Sequence, residues 1–283
     1  MFKLISTLLF MSAILTACQG QVCEKGDSAP RPPALAGCTK PDYCPRQSPP
    51  GQRTLDEILD RLRQSTAALK FYQADIYYLF IQDPELLDSR TIRRGVIYYR
   101  KDKTRSRVRI DFKTRKQDDG KEEKHREQFL FDGVWLTKID YQLKTADFYQ
   151  KVPENAPVDV FEFISYSFPI VGFSKTENLR KQFDIKILAQ PADPNKPVKL
   201  LLKAKKDSAY KDDYRDIDFR IDGRSFLPSR IVARSTEDDI YDVRFLNVAR
   251  NKIFKNTVFT VEIPESFSKN RHPLSKKELE RKR

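Results

Sequence analysis

The spacing of apolar residues changes period along the chain. Leu55, Ile58, Leu59, Leu62 and Leu69 recur at helical intervals with charged residues between them, the stripe of an amphipathic helix. Thr54 followed by Glu57 forms a capping box at its start, so a helix is predicted over about 54–69. Beyond it the period falls to two. Tyr72, Ala74, Ile76, Tyr78 and Phe80 alternate with polar or mixed residues, and Val108, Ile110 and Phe112 alternate with Arg107, Arg109 and Asp111. That is the pattern of strands with one buried and one wet face. Further strands are predicted at 91–101, 126–131, 134–140, 144–150, 198–206, 214–221, 228–235, 240–248 and 257–263. Asp132-Gly133 and Asp222-Gly223 mark hairpins, and the short connections predict an antiparallel sheet rather than βαβ units. The expected class is α+β, mainly β.

Two kinds of segment interrupt this series. Between Val158 and Phe183 the apolar residues Val160, Phe161, Phe163, Ile164, Phe168, Ile170, Val171, Phe173 and Leu179 are partly at helical spacing and are broken by Pro169 and Gly172. This predicts a short helix, a turn and a second helix at about Thr176–Gln182. At the start of the chain, Lys3 precedes an apolar run from Leu4 to Ala17, the form of a secretory signal and shorter than the about 20 apolar residues a bilayer span needs. The run ends in Leu15-Thr16-Ala17-Cys18, which resembles a bacterial lipobox. The resemblance implies cleavage before Cys18, lipid attachment at Cys18 and, with Gln19 next, placement at the outer membrane. From Gln19 to Gly51 seven prolines and few large apolar residues read as an extended tether. Residues 268–283 carry seven basic and two acidic residues and read as a flexible basic tail. The organisation predicted is a signal peptide (1–17), a tether (18–51), one globular domain (52–267) and the tail (268–283).

Composition narrows the function classes. With 39% hydrophobic residues, 19 Phe and 12 Tyr, the chain can bury a core and is too polar for a multi-span membrane protein. Lipidation of Cys18 leaves Cys23, Cys38 and Cys44 in a Pro/Gly-rich stretch without a C-x-x-C. They read as a small stapled loop with its pairing open, not as a metal or redox centre. His125, in a Lys/Glu-rich hairpin, and His272, in the tail, read as exposed surface histidines. Asp212-Asp213 and Asp238-Asp239 read as solvated turn carboxylates. Hydrolase, zinc-protease and nucleotide-binding signatures are absent, so no catalytic residue, metal or cofactor is expected and the protein reads as a non-enzyme. The net charge is +13, and Arg90–Arg126 holds 15 basic against 6 acidic residues. An exported chain meets little nucleic acid, so either a solvated face or contacts with anionic lipid headgroups account for the surplus.

About ten predicted strands present one apolar face, and only one long helix and one short insert are at hand to cover it. The matching stretches Leu69-Lys70-Phe71-Tyr72-Gln73-Ala74-Asp75-Ile76, Gly95-Val96-Ile97-Tyr98-Tyr99-Arg100-Lys101, Phe131-Asp132-Gly133-Val134-Trp135 and Val243-Arg244-Phe245-Leu246-Asn247-Val248-Ala249-Arg250-Asn251, in this order and spacing, resemble the LolA/LolB lipoprotein-carrier superfamily over residues 54–266. The resemblance implies an unclosed antiparallel β half-barrel with a long N-terminal helix and a short helical lid on its concave face. It implies a monomer that binds acyl chains of lipoproteins or other lipids, in lipoprotein sorting or transport to the outer membrane. Tyr72, Ile76, Tyr78, Phe80, Ile97, Tyr99, Val108, Ile110 and Phe112 would line the concavity, and Phe161, Ile164 and Phe168 would belong to the lid. The triplet Arg100-Lys101-Asp102 departs from the Lys-Arg-Pro of the soluble carriers, so Lys101 takes the position of the lid-contacting arginine. A lipid anchor at Cys18 with the domain in the periplasm fits a receptor member better than a shuttle. The rival reading is an envelope sensor or interaction lipoprotein with the same fold and a filled core.

Overall fold

The computed structural model describes residues 52–102, 105–158 and 176–274. Helix α1 (Leu55–Ala67) starts with the predicted box: Thr54 Oγ1 accepts the Glu57 N–H at 3.3 Å, and the Glu57 carboxylate accepts the Thr54 N–H at 2.8 Å. Both donors would otherwise be open at a helix start. Its buried side is Ile58, Leu59 and Leu62. Past its end Asn251 ties the chain down. The Asn251 amide oxygen accepts the N–H groups of Lys70 and Phe71 at 2.8 and 3.2 Å, and its nitrogen donates to the Ala68 carbonyl at 3.1 Å.

The strands are β1 (Phe71–Gln82), β2 (Ser89–Lys101), β3 (Ser106–Gln117), β4 (Glu123–Phe131), β5 (Trp135–Asp140), β6 (Thr145–Gln150), β7 (Phe183–Ala189), β8 (Val198–Ala204), β9 (Tyr214–Ile221), β10 (Pro228–Ser235), β11 (Ile240–Arg250) and β12 (Ser268–His272). Helix α2 (Thr176–Gln182) precedes β7. All the strands belong to one 12-stranded sheet in the order β12-β6-β5-β4-β3-β2-β1-β11-β10-β9-β8-β7. Two meanders, β1–β6 and β7–β11, are joined by the antiparallel pairing of β1 with β11. Strands β12 and β7 form the two ends, so the sheet is an unclosed half-barrel.

Register puts the alternating apolar residues on one face. Leu200, Phe219, Ile231 and Val243 lie side by side across β8 to β11 and continue into Tyr78 on β1. A second row runs Tyr72, Tyr99, Val108 and Phe131 across β1 to β4. Both rows pack with Ile58, Leu59 and Leu62 of α1 and Leu179 of α2 in one hydrophobic core. Each large side chain buried there contributes about 1.5–3 kcal/mol. At Gly95 the backbones of β2 and β3 approach so closely that a Cβ would stand 1.9 Å from the Asp111 carbonyl oxygen.

The structure corrects four expectations. The predicted strand 257–263 begins as a 3₁₀ turn (Asn256–Phe259) and continues without ladder pairing. Phe259 of this segment packs on the outer face of the sheet against the ring of Phe254, tilted at 5.9 Å, and Phe254 in turn meets Phe71 and Tyr98 edge-on at 5.3 and 5.7 Å. Arg109 of β3 donates to the Val258 carbonyl and fastens the segment. The predicted flexible tail opens with strand β12, parallel to β6. Main-chain pairing does not require apolar side chains, and here Arg271 lies over Trp135 and Phe148 while His272 stacks on Tyr149 at 4.6 Å. Strand β7 was not predicted. His125, read as exposed, is buried, because its position in β4 shares the phase of Phe129 and Phe131. The second predicted helix is α2. The first predicted helix, the signal peptide, the tether and residues 275–283 lie outside the described residues.

Candidate functional site

The inner face of β1–β4 carries the nine predicted wall residues on three adjacent strands. Tyr72 stands opposite Tyr99, which stands opposite Val108, and Ile97 stands opposite Ile110. Tyr72, Ile76, Ile97, Tyr99, Val108, Ile110 and Phe112 are at most 3% exposed, while Tyr78 and Phe80 are half-buried. Phe112 connects Tyr78 and Phe129 through ring contacts at 6.1 Å on either side. Lys101 is exposed at the end of β2, its N–H donating to the Lys70 carbonyl. Phe161, Ile164, Phe168 and Cys18 lie outside the described residues, as do Cys23, Cys38 and Cys44.

This face is not apolar throughout. Arg93 stands opposite Tyr78, Glu127 opposite Phe112, and Lys138 opposite Phe129. The Glu127 carboxylate, its side chain 4% exposed, lies 3.3 Å from an Arg93 guanidinium nitrogen and 3.4 Å from the Lys138 ammonium. The two cations also lie over aromatic rings, Arg93 over Phe112 at 5.8 Å and Lys138 over Phe129 at 5.9 Å. A buried carboxylate needs such partners, because its desolvation is costly. Polarity therefore rises along β1 from Tyr72 towards Phe80. Burial pushes the Tyr78 phenol up, with Tyr241, Glu127 and Asp239 adding to it and Arg93 opposing. Strand parity marks Arg93, Glu127 and Lys138 as inward residues, but their charge reads as a wet face when the sequence alone is considered.

The outer face is built from paired charges. Asp242 on β11 accepts two hydrogen bonds from the Arg230 guanidinium, at 2.8 and 2.7 Å, and another from Arg244 at 2.7 Å. Arg244 and Arg94, from the strands on either side of β1, lie over the Tyr77 ring at 4.9 and 5.5 Å. Arg109 is held by Asp111 at 2.7 Å, and Arg100 by Asp102 at 2.6 Å. Much of the alternating arginine is thus neutralised locally. Among the described residues no group of His, Cys, Asp or Glu is arranged to hold a metal ion. The predicted turn carboxylates lie where expected: Asp212 and Asp213 end the loop before β9, and Asp238 and Asp239 occupy the β10–β11 turn. Chemically, the arrangement offers a broad apolar surface with a polar end.

These features define an open antiparallel half-barrel with helices against its inner face, the architecture that the resemblance implied. No family model matches the chain, and no curated protein matches it. Solved structures similar to it include an uncharacterized conserved protein from Thermus thermophilus, at 11% identity and a TM-score of 0.45, covering 77% of this chain and 98% of that one. Another is the Pseudomonas aeruginosa MucA/MucB complex, at 12% identity and a TM-score of 0.42, covering 73% of this chain and 60% of that one. A third is the LolA superfamily protein NE2245 from Nitrosomonas europaea, at 10% identity and a TM-score of 0.33, covering 74% of this chain and 99% of that one.

Proposed function

We propose that this protein is a non-enzymatic carrier or receptor for acyl chains of lipoproteins or other lipids, anchored through Cys18 in the cell envelope with its domain in the periplasm. The observation that supports the reading is the one-sidedness of the sheet. Strands β1 to β4 and β7 to β11 of the sheet contribute apolar inner-face residues to one core, and the described helices set against it are only thirteen and seven residues long. A face of this kind binds acyl chains without any nucleophile, since burial is worth about 0.8 kcal/mol per methylene. In this reading Tyr72, Ile76, Tyr78, Phe80, Ile97, Tyr99, Val108, Ile110 and Phe112 are the residues an acyl chain would meet.

The near-complete burial of seven wall residues favours a second reading, a sensor or interaction lipoprotein whose core is filled by its own side chains. The substitution Ile110→Asp separates the two. In a carrier it abolishes uptake of an apolar fluorophore while the far-UV circular dichroism and melting transition stay cooperative. In a filled core it unfolds the domain. Native mass spectrometry of the full chain gives an independent readout: a carrier retains co-purified lipid, and a chain that neither carries lipid nor takes up the fluorophore is not one.

A further inference from the structure

The sheet ends in two unlike edges. Strand β12 is polar and exposed throughout, whereas β7 at the other end carries Phe183, Ile185, Ile187 and Leu188, the last two 37% and 53% exposed. Among the described residues nothing pairs with β7 on the side away from β8, and an apolar edge of this kind is a template for another strand. The phase of its ladder is fixed. The Lys205 N–H donates to the Gln182 carbonyl at 2.9 Å, and in an antiparallel pair such bonding recurs at every second residue. Asp184 and Lys186 therefore bond to β8, where they stand opposite Lys203 and Leu201. The N–H and C=O groups of Phe183, Ile185 and Ile187 face the free edge.

Charge says what the edge fits. On the outer face Arg234 of β10 stands opposite Asp216 of β9, Asp216 opposite Lys203 of β8, and Lys203 opposite Asp184 of β7. The signs alternate along this row, and the row stops at an exposed carboxylate. Lys186, two residues on, is exposed as well, and neither it nor Asp184 makes an ion pair among the described residues. A strand that places a cation opposite Asp184 continues the alternation. A second copy of β7 supplies one. Two antiparallel copies related by a twofold axis normal to the sheet keep their inner faces on the same side, so an inner residue faces an inner residue and the axis passes through a residue position. Centring on Asp184 or Lys186 sets that charge against its own copy. Centring on Ile187 runs into the bulge before Ala189, and centring on Phe183 leaves almost no overlap. Centring on Ile185 sets Asp184 opposite Lys186 of the second copy, twice by symmetry, and brings all three residues with free main-chain groups into hydrogen-bonded pairs.

We propose that the protein self-associates edge to edge through β7, with each Asp184 paired to Lys186 of a second copy. The exposed Ile187 then gains Phe183 of that copy as its cross-strand neighbour, and the two inner faces lie on one side of a continuous sheet. The paired stretch is short, so the dimer is reversible and depends on concentration. The resemblance implied a monomer; the charge pattern of this edge departs from it, and the dimer does not rest on the carrier reading.

The test is sedimentation equilibrium of the full chain in excess non-ionic detergent at low ionic strength, where a monomer–dimer equilibrium is expected. Asp184→Lys and Lys186→Asp each set like charges opposite one another on both sides of the axis, and each should weaken the dimer tenfold or more with the melting transition retained. An equimolar mixture of these two variants should form a heterodimer, because each offers the sign the other lacks. The chain carrying both substitutions should recover self-association. Ile187→Pro removes an N–H that faces the free edge while leaving the bonds to β8 in place, and should abolish the dimer. Raising the concentration of wild type should bring exchange protection to the Ile185 and Ile187 amides and leave those of Asp184 and Lys186 as they were. A chain that stays monomeric, a dimer indifferent to both charge variants, or a mixture no more associated than its components overturns the proposal. Protection at Ile185 and Ile187 that appears only on adding an unrelated extended peptide assigns the edge to a different partner and overturns it as well.

Discussion

Asn251 performs three tasks with one side chain. It sits in the left-handed region at φ 53°, accepts two N–H groups at the start of β1 and donates to the last turn of α1. Each such bond contributes on the order of 1 kcal/mol, and alanine also tolerates the left-handed conformation poorly. Asn251→Ala is expected to cost about 2–3 kcal/mol and lower the melting temperature by about 5–10 °C. Asn251→Gly keeps the conformation, loses the bonds and should fall between. Scanning calorimetry on the three proteins decides it, and equal melting points would show that the join of helix and sheet is carried elsewhere. Gly95 makes the opposite case, a residue whose missing side chain is the function. An added Cβ at 1.9 Å from the Asp111 carbonyl oxygen meets only backbone, the other near atoms being the Asp111 carbonyl carbon at 2.7 Å and Phe112 Cα at 2.8 Å. Gly95→Ala should therefore cost about 3 kcal/mol or more, read as a lower urea midpoint with faster hydrogen exchange in β2 and β3.

At the scale of elements, the period-two alternation made β1, β3 and β8 to β11 legible, because each has one face in the core and one in solvent. Strand β7 carries the same signal in Phe183, Ile185 and Ile187, but the helical spacing of the insert before it obscures where the period changes. Strand β12 carries no signal at all: Ser-Lys-Asn-Arg-His is exposed along its whole length, and its ladder to β6 is made by main chain. Deleting Ser268–Arg283 should thus do more than remove charge. It strips the β6 edge of its partner and Tyr149 of the stacked His272, so the β5–β6 amides should lose exchange protection while those of β8–β10 keep theirs. The outer faces of β10 and β11 yield a pH dependence. Burial opposes the charge of Asp242, yet the hydrogen bonds from Arg230 and Arg244 outweigh it and hold the carboxyl below the usual range. In the unfolded chain that group titrates at about 3.9. The stabilisation is therefore fully present above that value and is lost as the pH falls through the lower folded value. Asp242→Asn should remove this part of the acid unfolding limb, and Asp242→Ala should cost about 3 kcal/mol at neutral pH by leaving two arginines without their carboxylate. Acid melts that superimpose for wild type and Asp242→Asn would refute it.

For the whole molecule, the apolar wall of the inner face was readable from parity, while its polar end was hidden by its charge. Parity places Arg93, Glu127 and Lys138 inward, but their charge argues for the wet face, and the strand pairings that set Glu127 between Arg93 and Lys138 are not announced by the sequence. The same distinction changes the meaning of the basic surplus. Arg94, Arg100 and Arg109 lie in the richest cluster, yet each has its own carboxylate. Lys113, Lys121 and Lys124 are exposed and have no ion pair among the described residues, and they gather near the β3–β4 hairpin. If the surplus addresses anionic lipid, these lysines are the contact and the paired arginines are scaffold. Each basic side chain near such a surface contributes about 1 kcal/mol, so changing all three to Gln should weaken binding to phosphatidylglycerol-containing vesicles by about a hundredfold. Arg109→Gln should leave it nearly unchanged and instead loosen the Val258 segment that Arg109 fastens. Raising the ionic strength towards 1 M, where the screening length is about 3 Å, should abolish the wild-type binding. Co-flotation of the full chain with vesicles reads all three outcomes, and a loss in Arg109→Gln equal to that of the lysine variant would return the surplus to the sheet face as a whole.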